Sequence, residues 1–327
     1  MLKYDDIKVV ELEISSHCNA QCPLCPRNLF GHPFNSGYPV RNLSLEEVKT
    51  IIDVDFIKQL DNFVFEGNFG DPLMNPELTD IVEYLIKPVT IFTNGSLQTD
   101  SFWIKLATLP VTVVFGIDGL QGVHEIYRRG TDYNRIIKNA TTFINAGGKA
   151  IWRMIEFNHN KHQISECNQL SKQLGFHSFK LINQGRDAGP VFNKDGNLET
   201  VIGNFSGSVK LTHYKDIVNN GDMLIEDIDD EPKNSIKCQS LGSSSIYITS
   251  EGEVYPCCFM GFSPRTYGKG RWHQPVNKQI VDLLTDNNAL KKPLKQCIDW
   301  FNNIPGCWSK TSYEDGRLIV CDSACGK

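Results

Sequence analysis

The chain lacks an apolar run near the ~20 residues a membrane span requires, and it opens on Met1-Leu2-Lys3-Tyr4-Asp5-Asp6, without a basic or apolar targeting segment. It also lacks an excess of positive charge. Lys and Arg number 33 against 38 Asp and Glu, a net charge of −5, so the phosphate-neutralising term that drives nucleic-acid binding is missing and a nucleic-acid partner is disfavoured. There is no internal repeat and no low-complexity tract. These absences point to a cytoplasmic globular protein. Its 327 residues suffice for a large core without disulfide staples.

What the chain has in quantity is cysteine, eleven in all. A reducing cytosol keeps thiols from pairing, so clustered cysteines there are read as metal ligands. Cys18, Cys22 and Cys25 lie near the start, Cys167 stands alone on an apolar helical face, and Cys238, Cys257, Cys258, Cys297, Cys307, Cys321 and Cys325 fall near the end. The distribution predicts two metal sites.

Up to about residue 185 the chain alternates strand-like runs (9–14, 63–66, 89–93, 111–117, 150–155, 178–181) with amphipathic stretches of helical spacing. Ser44 with Glu47 forms a capping-box pattern ahead of Val48, Ile51, Ile52 and Ile57, and Gly175 closes a helix over 162–174. Six such repeats imply an α/β fold, a parallel sheet covered by helices and either doubly wound or curled into a partial barrel, with ligands beyond the carboxyl ends of the strands. Residues 186–235 read as a polar connector with an acidic run, Glu226 to Glu231. In 236–327, runs at 244–249 and 253–255 read as a hairpin turned at Ser250-Glu251-Gly252.

The segment His17-Cys-Asn-Ala-Gln-Cys-Pro-Leu-Cys-Pro-Arg27 follows the first strand. Three thiolates leave one iron of a [4Fe–4S] cluster open to substrate or cofactor. A zinc knuckle needs a fourth ligand, which His17 could offer, but the loop lies within a βα array and not in a small zinc module. The Cys18-x-x-x-Cys22-x-x-Cys25 spacing resembles the signature of the radical S-adenosylmethionine (SAM) superfamily. Three further motifs fit that resemblance: Gly70-Asp71-Pro72, which is similar to the family's Gly-Glu-Pro turn; Thr93-Asn94-Gly95; and Gly116-Ile117-Asp118-Gly119, with glycine where the family usually has serine.

The resemblance implies a partial (β/α)6 barrel over 1–185 whose Cys18, Cys22 and Cys25 hold a SAM-binding [4Fe–4S] cluster. It places Leu24 against the adenine, Gly70, Asp71 and Pro72 at the methionyl amino group, Asn94 and Asp118 at the SAM pocket and Arg153 at the carboxylate. Asn94 and Asp118 also suit helix capping. The Cys238 to Gly252 to Cys257 spacing is similar to the SPASM or twitch extension, a small hairpin-plus-helix domain over 236–327. It implies one auxiliary [4Fe–4S] cluster on Cys238, Cys257, Cys321 and Cys325, with Cys258, Cys297 and Cys307 spare, any of which could replace one of those four.

The implied chemistry is reductive cleavage of SAM to a 5′-deoxyadenosyl radical and hydrogen abstraction from a substrate, with a flavodoxin or ferredoxin as electron donor. A peptide or protein side chain is the expected substrate class, in a maturase, epimerase or cross-linking reaction. Against it stands the lack of a peptide-recognition domain before Cys18. A small polyol, sugar or nucleoside oxidised by a twitch-type dehydrogenase is the alternative, and a non-enzymatic zinc scaffold is a third.

Overall fold

The computed structural model describes residues 2–25, 27–28, 30–32, 40–183, 189–202, 212–216, 235–266, 279–280, 282–284 and 286–327. The acidic run Glu226 to Glu231 lies outside them. Among the described residues no helix is long and apolar enough to cross a membrane.

Six parallel strands form the centre of the molecule in strict sequential order: β1 (Val9–Leu12), β2 (Asn62–Phe65), β3 (Val89–Thr93), β4 (Val111–Gly116), β5 (Lys149–Ile155) and β6 (Ser178–Ile182). Sequential order is what a barrel-type sheet produces. A doubly wound sheet reverses direction at a switch point, and none occurs here. The chain is thus an α/β protein built on the six-stranded partial barrel.

Local chemistry sets the helices between the strands. Ser44 caps α1 (Leu45–Ile51) in a reciprocal box, its hydroxyl accepting from Glu47 N while the Glu47 carboxylate accepts from Ser44 N at 2.9 Å. The amphipathic stretch beyond it is broken, because Asp53 accepts from Phe56 N and starts a second helix, α2 (Val54–Gln59). Helix α3 (Leu78–Leu85) buries Leu78, Ile81, Val82 and Leu85, one stripe of a 3.6-residue period. After α4 (Asp100–Ala107) and the short α5 (His124–Tyr127), α6 (Tyr133–Asn145) buries Ile136, Ala140 and Phe143. Cys167 is fully buried in α7 (Ile164–Gln173), the core placement its spacing suggested.

Two features depart from the expected layout. The stretch read as a featureless connector contains an antiparallel pair, β7 (Gly189–Phe192) and β8 (Leu198–Ile202), whose Phe192 N donates to Phe30 O at 2.8 Å. This pair packs Val191, Phe192 and Ile202 against Leu24, Phe30, Tyr127 and Phe157, closing an apolar cluster over the cysteine loop. The C-terminal hairpin, β9 (Ser245–Ile248) and β10 (Val254–Tyr255), turns at Gly252 with φ +80° as expected. It does not stand apart, however: β9 pairs in parallel with β1, from Val9↔Ser245 to Leu12↔Ile248, and extends the main sheet to eight strands. Before it comes α8 (Gln239–Ser243), and beyond it α9 (Cys258–Thr266), α10 (Leu294–Cys297), α11 (Ile304–Trp308) and α12 (Ile319–Cys325).

Where β1 and β2 deliver their loops, the backbones touch. A Cβ on Gly70 would lie 1.7 Å from the Ser15 carbonyl oxygen, so only glycine fits. Gly70→Ala is therefore expected to destabilise the fold by about 1–3 kcal/mol, the usual cost of overpacking. Gly306→Ala, whose Cβ meets nothing within 4 Å, should stay within about 0.5 kcal/mol of the parent. Chemical denaturation of the two variants side by side measures both, and equal midpoints would refute the argument from close approach.

Candidate functional site

Three loops converge at the carboxyl ends of β1, β2 and β3. The first carries Cys18, Cys22 and Cys25, of which Cys22 is 7% exposed and the other two half-buried. It is pinned along its length. Gln21 N donates to Arg129 O at 2.7 Å, Cys25 N to Cys22 O at 3.0 Å, and Arg27 at its exit donates to Ser16 O and to Phe69 O.

Burial pushes the Cys18 thiol well above its ordinary pKa, and the neighbouring Asp71, Cys22 and Cys25 push it further. Three acidic groups crowded in a dry loop resist ionisation unless a cation joins them. Polar hydrogens already point at the sulfur: Ala20 N lies 3.4 Å and Asn94 Nδ2 3.8 Å from Cys18 Sγ.

The second loop is the Gly70-Asp71-Pro72 turn. Asp71 N donates to His17 O at 2.8 Å, which fastens the turn to the cysteine loop. The Asp71 carboxylate is 4% exposed and already engaged, accepting from Thr93 Oγ1 (2.8 and 2.9 Å), Asn94 N (2.8 Å) and Leu73 N (3.0 Å). It ties the end of β3 to the turn. Asn94, in the third loop, caps no helix; α4 is capped by Thr99. Its amide donates to Asn19 Oδ1 at 2.9 Å and its oxygen accepts from Ser96.

Asp118, fully buried beyond β4, accepts from Ile155 N at 2.6 Å and from Arg128 Nε at 2.6 Å. Arg128 is the functional candidate that motif reading missed. Asp118 holds its guanidinium charged, and Cys22 lies close enough to add to that effect. A Cβ on Gly116 would come within 2.9 Å of Arg128 Nη2. The glycine that replaces the usual serine thus makes room for an arginine, and that departure was the available clue. Arg153, by contrast, stands in the barrel lumen, its Nη1 3.8 Å from Glu66 Oε1 and its guanidinium over the Phe92 ring.

A second group of thiols lies across β1. One cavity is lined by Cys238, Cys257, Cys258, Cys321 and Cys325 together with Glu11, Met260, Ile304, Trp308 and Val320. The chain end makes this possible: Ser235 and Lys327 exchange backbone hydrogen bonds and Lys237 N donates to Cys325 O at 3.0 Å, which sets Cys238 beside α12. Burial raises the Cys257 thiol well above its ordinary value, with Cys258, Cys321 and Cys238 adding to it. Burial also pushes Cys321 up to about 12, with Cys238 and Cys325 adding.

The four thiols singled out in the sequence share this cavity, together with Cys258, whose thiol donates to Glu11. Cys297 is buried elsewhere, donating to Lys292 O at 3.8 Å, and Cys307 donates to Asn303 O at 3.6 Å. Among the described residues no three Cys, His, Asp or Glu side chains converge as ligands of one metal ion. A cubane differs in its demand, since each thiolate binds a separate iron.

Residues 12–162 match the Radical SAM superfamily. Over 96% of its length the chain is 26% identical to 97% of a Pyrococcus furiosus protein described as the tungsten-containing aldehyde ferredoxin oxidoreductase cofactor-modifying protein. The fold resembles that of Streptococcus suis SuiB bound to S-adenosylmethionine, with a TM-score of 0.57 and 16% identity over 98% of this chain and 73% of that one. It likewise resembles native anSMEcpe with bound AdoMet and Cp18Cys peptide, with a TM-score of 0.55 and 17% identity over 97% of this chain and 88% of that one. The cysteine loop and the sequential parallel sheet agree with that match, so residues 12–162, just under half of the chain, are similar to the Radical SAM superfamily, and a further region lies C-terminal to the barrel.

Proposed function

We propose that this protein uses Cys18, Cys22 and Cys25 to hold a [4Fe–4S] cluster, binds SAM beside it, and abstracts a hydrogen atom from a peptide or protein side chain. The observation that carries the reading is the three-thiol loop at the carboxyl end of β1, buried and supplied with N–H groups directed at Cys18. When bound, the cluster and SAM supply a 5′-deoxyadenosyl radical for that abstraction. The donor set fits such a group: soft sulfur ligands, three in number, with the half-buried Arg128 guanidinium near enough to be influenced by Cys22.

The chain's own residues then have distinct tasks. Leu24, 5% exposed within the apolar cluster, offers a surface for adenine. The backbone of Gly70, Asp71 and Pro72 presents polar groups to the methionyl amino group, and Asn94 buttresses Cys18. Arg128, oriented by Asp118, is better placed for the SAM carboxylate than Arg153, because it lies beside Cys22 and its fork can pair bidentately. Arg153, Glu66 and Glu11 line the lumen and orient substrate. The β7–β8 pair covers the cysteine loop and keeps water from it.

In the C-terminal region Cys238, Cys257, Cys321 and Cys325 hold one auxiliary [4Fe–4S] cluster, with four thiolates and no open iron. The peptide reading draws on the SPASM-type resemblance and on the peptide bound to anSMEcpe. A small-molecule substrate is the second reading, favoured by the relative from Pyrococcus furiosus, whose description is that of a cofactor-modifying protein. A flavodoxin or ferredoxin would supply the electron.

Anaerobically reconstituted protein should contain about eight irons per chain, and replacing Cys18, Cys22 and Cys25 by alanine should remove about four of them. Each single substitution, Cys18→Ala, Cys22→Ala or Cys25→Ala, should abolish 5′-deoxyadenosine formation from SAM and dithionite. Retention of that product by any one of them would sink the assignment. Arg128→Ala should raise the SAM concentration needed for half-maximal cleavage at least tenfold, as expected for loss of a charge-assisted pair worth ~1.5 kcal/mol or more. Arg153→Ala should leave it within about twofold, and the reverse order would return the carboxylate to Arg153.

Burial raises Glu11 to about 7, with Glu66 adding to it and the Cys258 thiol opposing. A carboxyl raised on folding contributes stability that is complete below its unfolded value, near 4.5, and is lost as pH climbs through about 7. Arg153, the nearby cation, pairs with Glu66. Glu11→Gln should therefore flatten the fall in stability between pH 5 and 8, which thermal unfolding across that range measures. An unchanged slope would contradict the placement of Glu11.

A further inference from the structure

The cavity that gathers the C-terminal cysteines has one wall that is neither thiol nor aliphatic. Trp308, the last residue of α11, lines it. The Trp308 indole nitrogen is buried and no acceptor meets hydrogen-bond geometry with it. Indole is a donor only, so this N–H can be satisfied only by an acceptor brought beside it. Cys321 lines the same cavity as Trp308.

The indole is locked where it stands. Arg317 Nη1 donates to the Trp308 carbonyl oxygen at 2.8 Å, while Nε and Nη2 of the same guanidinium bind Asp322 Oδ1 at 3.0 and 2.7 Å. Asp322 follows Cys321 on α12, accepts from Tyr313 Oη at 2.8 Å, and forms with Arg317 an ion pair whose side chains are 2% and 5% exposed. One buried salt bridge thus joins the strand of chain bearing Trp308 to the helix bearing Cys321 and Cys325. A buried donor with no acceptor in hydrogen-bond geometry, on a fixed stretch of backbone in the wall of a sulfur-lined cavity, is suited to hydrogen bonding with a cluster.

We propose that the Trp308 indole N–H donates a hydrogen bond to sulfur at the auxiliary cluster site, on or beside the Cys321 thiolate, and so holds that cluster's reduction potential above the value its thiolates alone would set. The inference rests on reading Cys238, Cys257, Cys321 and Cys325 as an auxiliary cluster site. Added electron density on a cluster spreads to its sulfurs, so a fixed donor stabilises the reduced state more than the oxidised one. Trp308 is a tuning residue here and touches no substrate.

The test uses the full chain with Cys18, Cys22 and Cys25 replaced by alanine, in which only the C-terminal site can load, with Trp308 or with Trp308→Phe. The parent should hold about four irons. Trp308→Phe should keep them, and its potential, followed by electron paramagnetic resonance during reductive titration, should move to lower values. Equal potentials at equal iron content would overturn the proposal while leaving the cluster assignment standing. A parent without iron would overturn both. Should Trp308→Phe lose iron, electron–nuclear double resonance on the parent decides. The proposal predicts a proton coupling to the reduced cluster that vanishes in D2O, together with a coupling to 15N-labelled indole, and their absence refutes it.

Discussion

Three acidic thiols confined to one buried loop cannot all carry charge unless something positive stands among them. Much of the surrounding construction answers to that constraint. Asn94 Nδ2 and Ala20 N point at Cys18, and the Arg128 guanidinium, clamped by Asp118, lies beside Cys22. The turn at Gly70 approaches so closely that a side chain would collide with the Ser15 carbonyl. Loops from three successive strands are thereby fused into one wall. A cluster bound there would meet a site already organised around negative sulfur, with little left to rearrange.

The same strand that delivers this loop also joins the two halves of the chain. β1 pairs with β2 on one side and β9 on the other. Glu13, 1% exposed, accepts from Phe69 N at 2.8 Å and from Tyr247 Oη at 3.2 Å, so a single carboxylate binds the cysteine wall to the C-terminal hairpin. Glu11 and Glu66 stand near Cys258 of the second group of thiols, and Arg153 on β5 reaches Glu66. Charged groups thus gather on this side of the sheet, with the Arg153 guanidinium over the Phe92 ring.

How much of this was legible beforehand follows from the range of the interactions. The Ser44–Glu47 capping box, the Gly252 turn and the six parallel strands are local patterns that fold as read, although among the described residues no helix follows β6 before β7. The cysteine loop was legible because its spacing is itself the chemistry. The pairing of β9 with β1 was not, since no short-range signal links residues so far apart in the chain. The β7–β8 pair escaped because Gly189 and Pro190 are poor strand formers, held here by packing on Phe30 and Leu24. Asp71 was read as reaching for the amino group of SAM, whereas its oxygens are engaged by Thr93, Asn94 and Leu73. Arg128 had no motif to announce it, and its placement is seen only with Asp118 and Gly116 around it.

The claim beneath all of this is that the wall formed by Cys18, Cys22 and Cys25 presents an iron to which SAM can attach. The direct measurement is the electron paramagnetic resonance spectrum of dithionite-reduced protein in which Cys238, Cys257, Cys321 and Cys325 are replaced by alanine, recorded with and without SAM. The account predicts one cluster signal whose g values shift when SAM is added, through coordination at the open site. A signal that SAM leaves unchanged, with binding of SAM verified in the same sample, would contradict it.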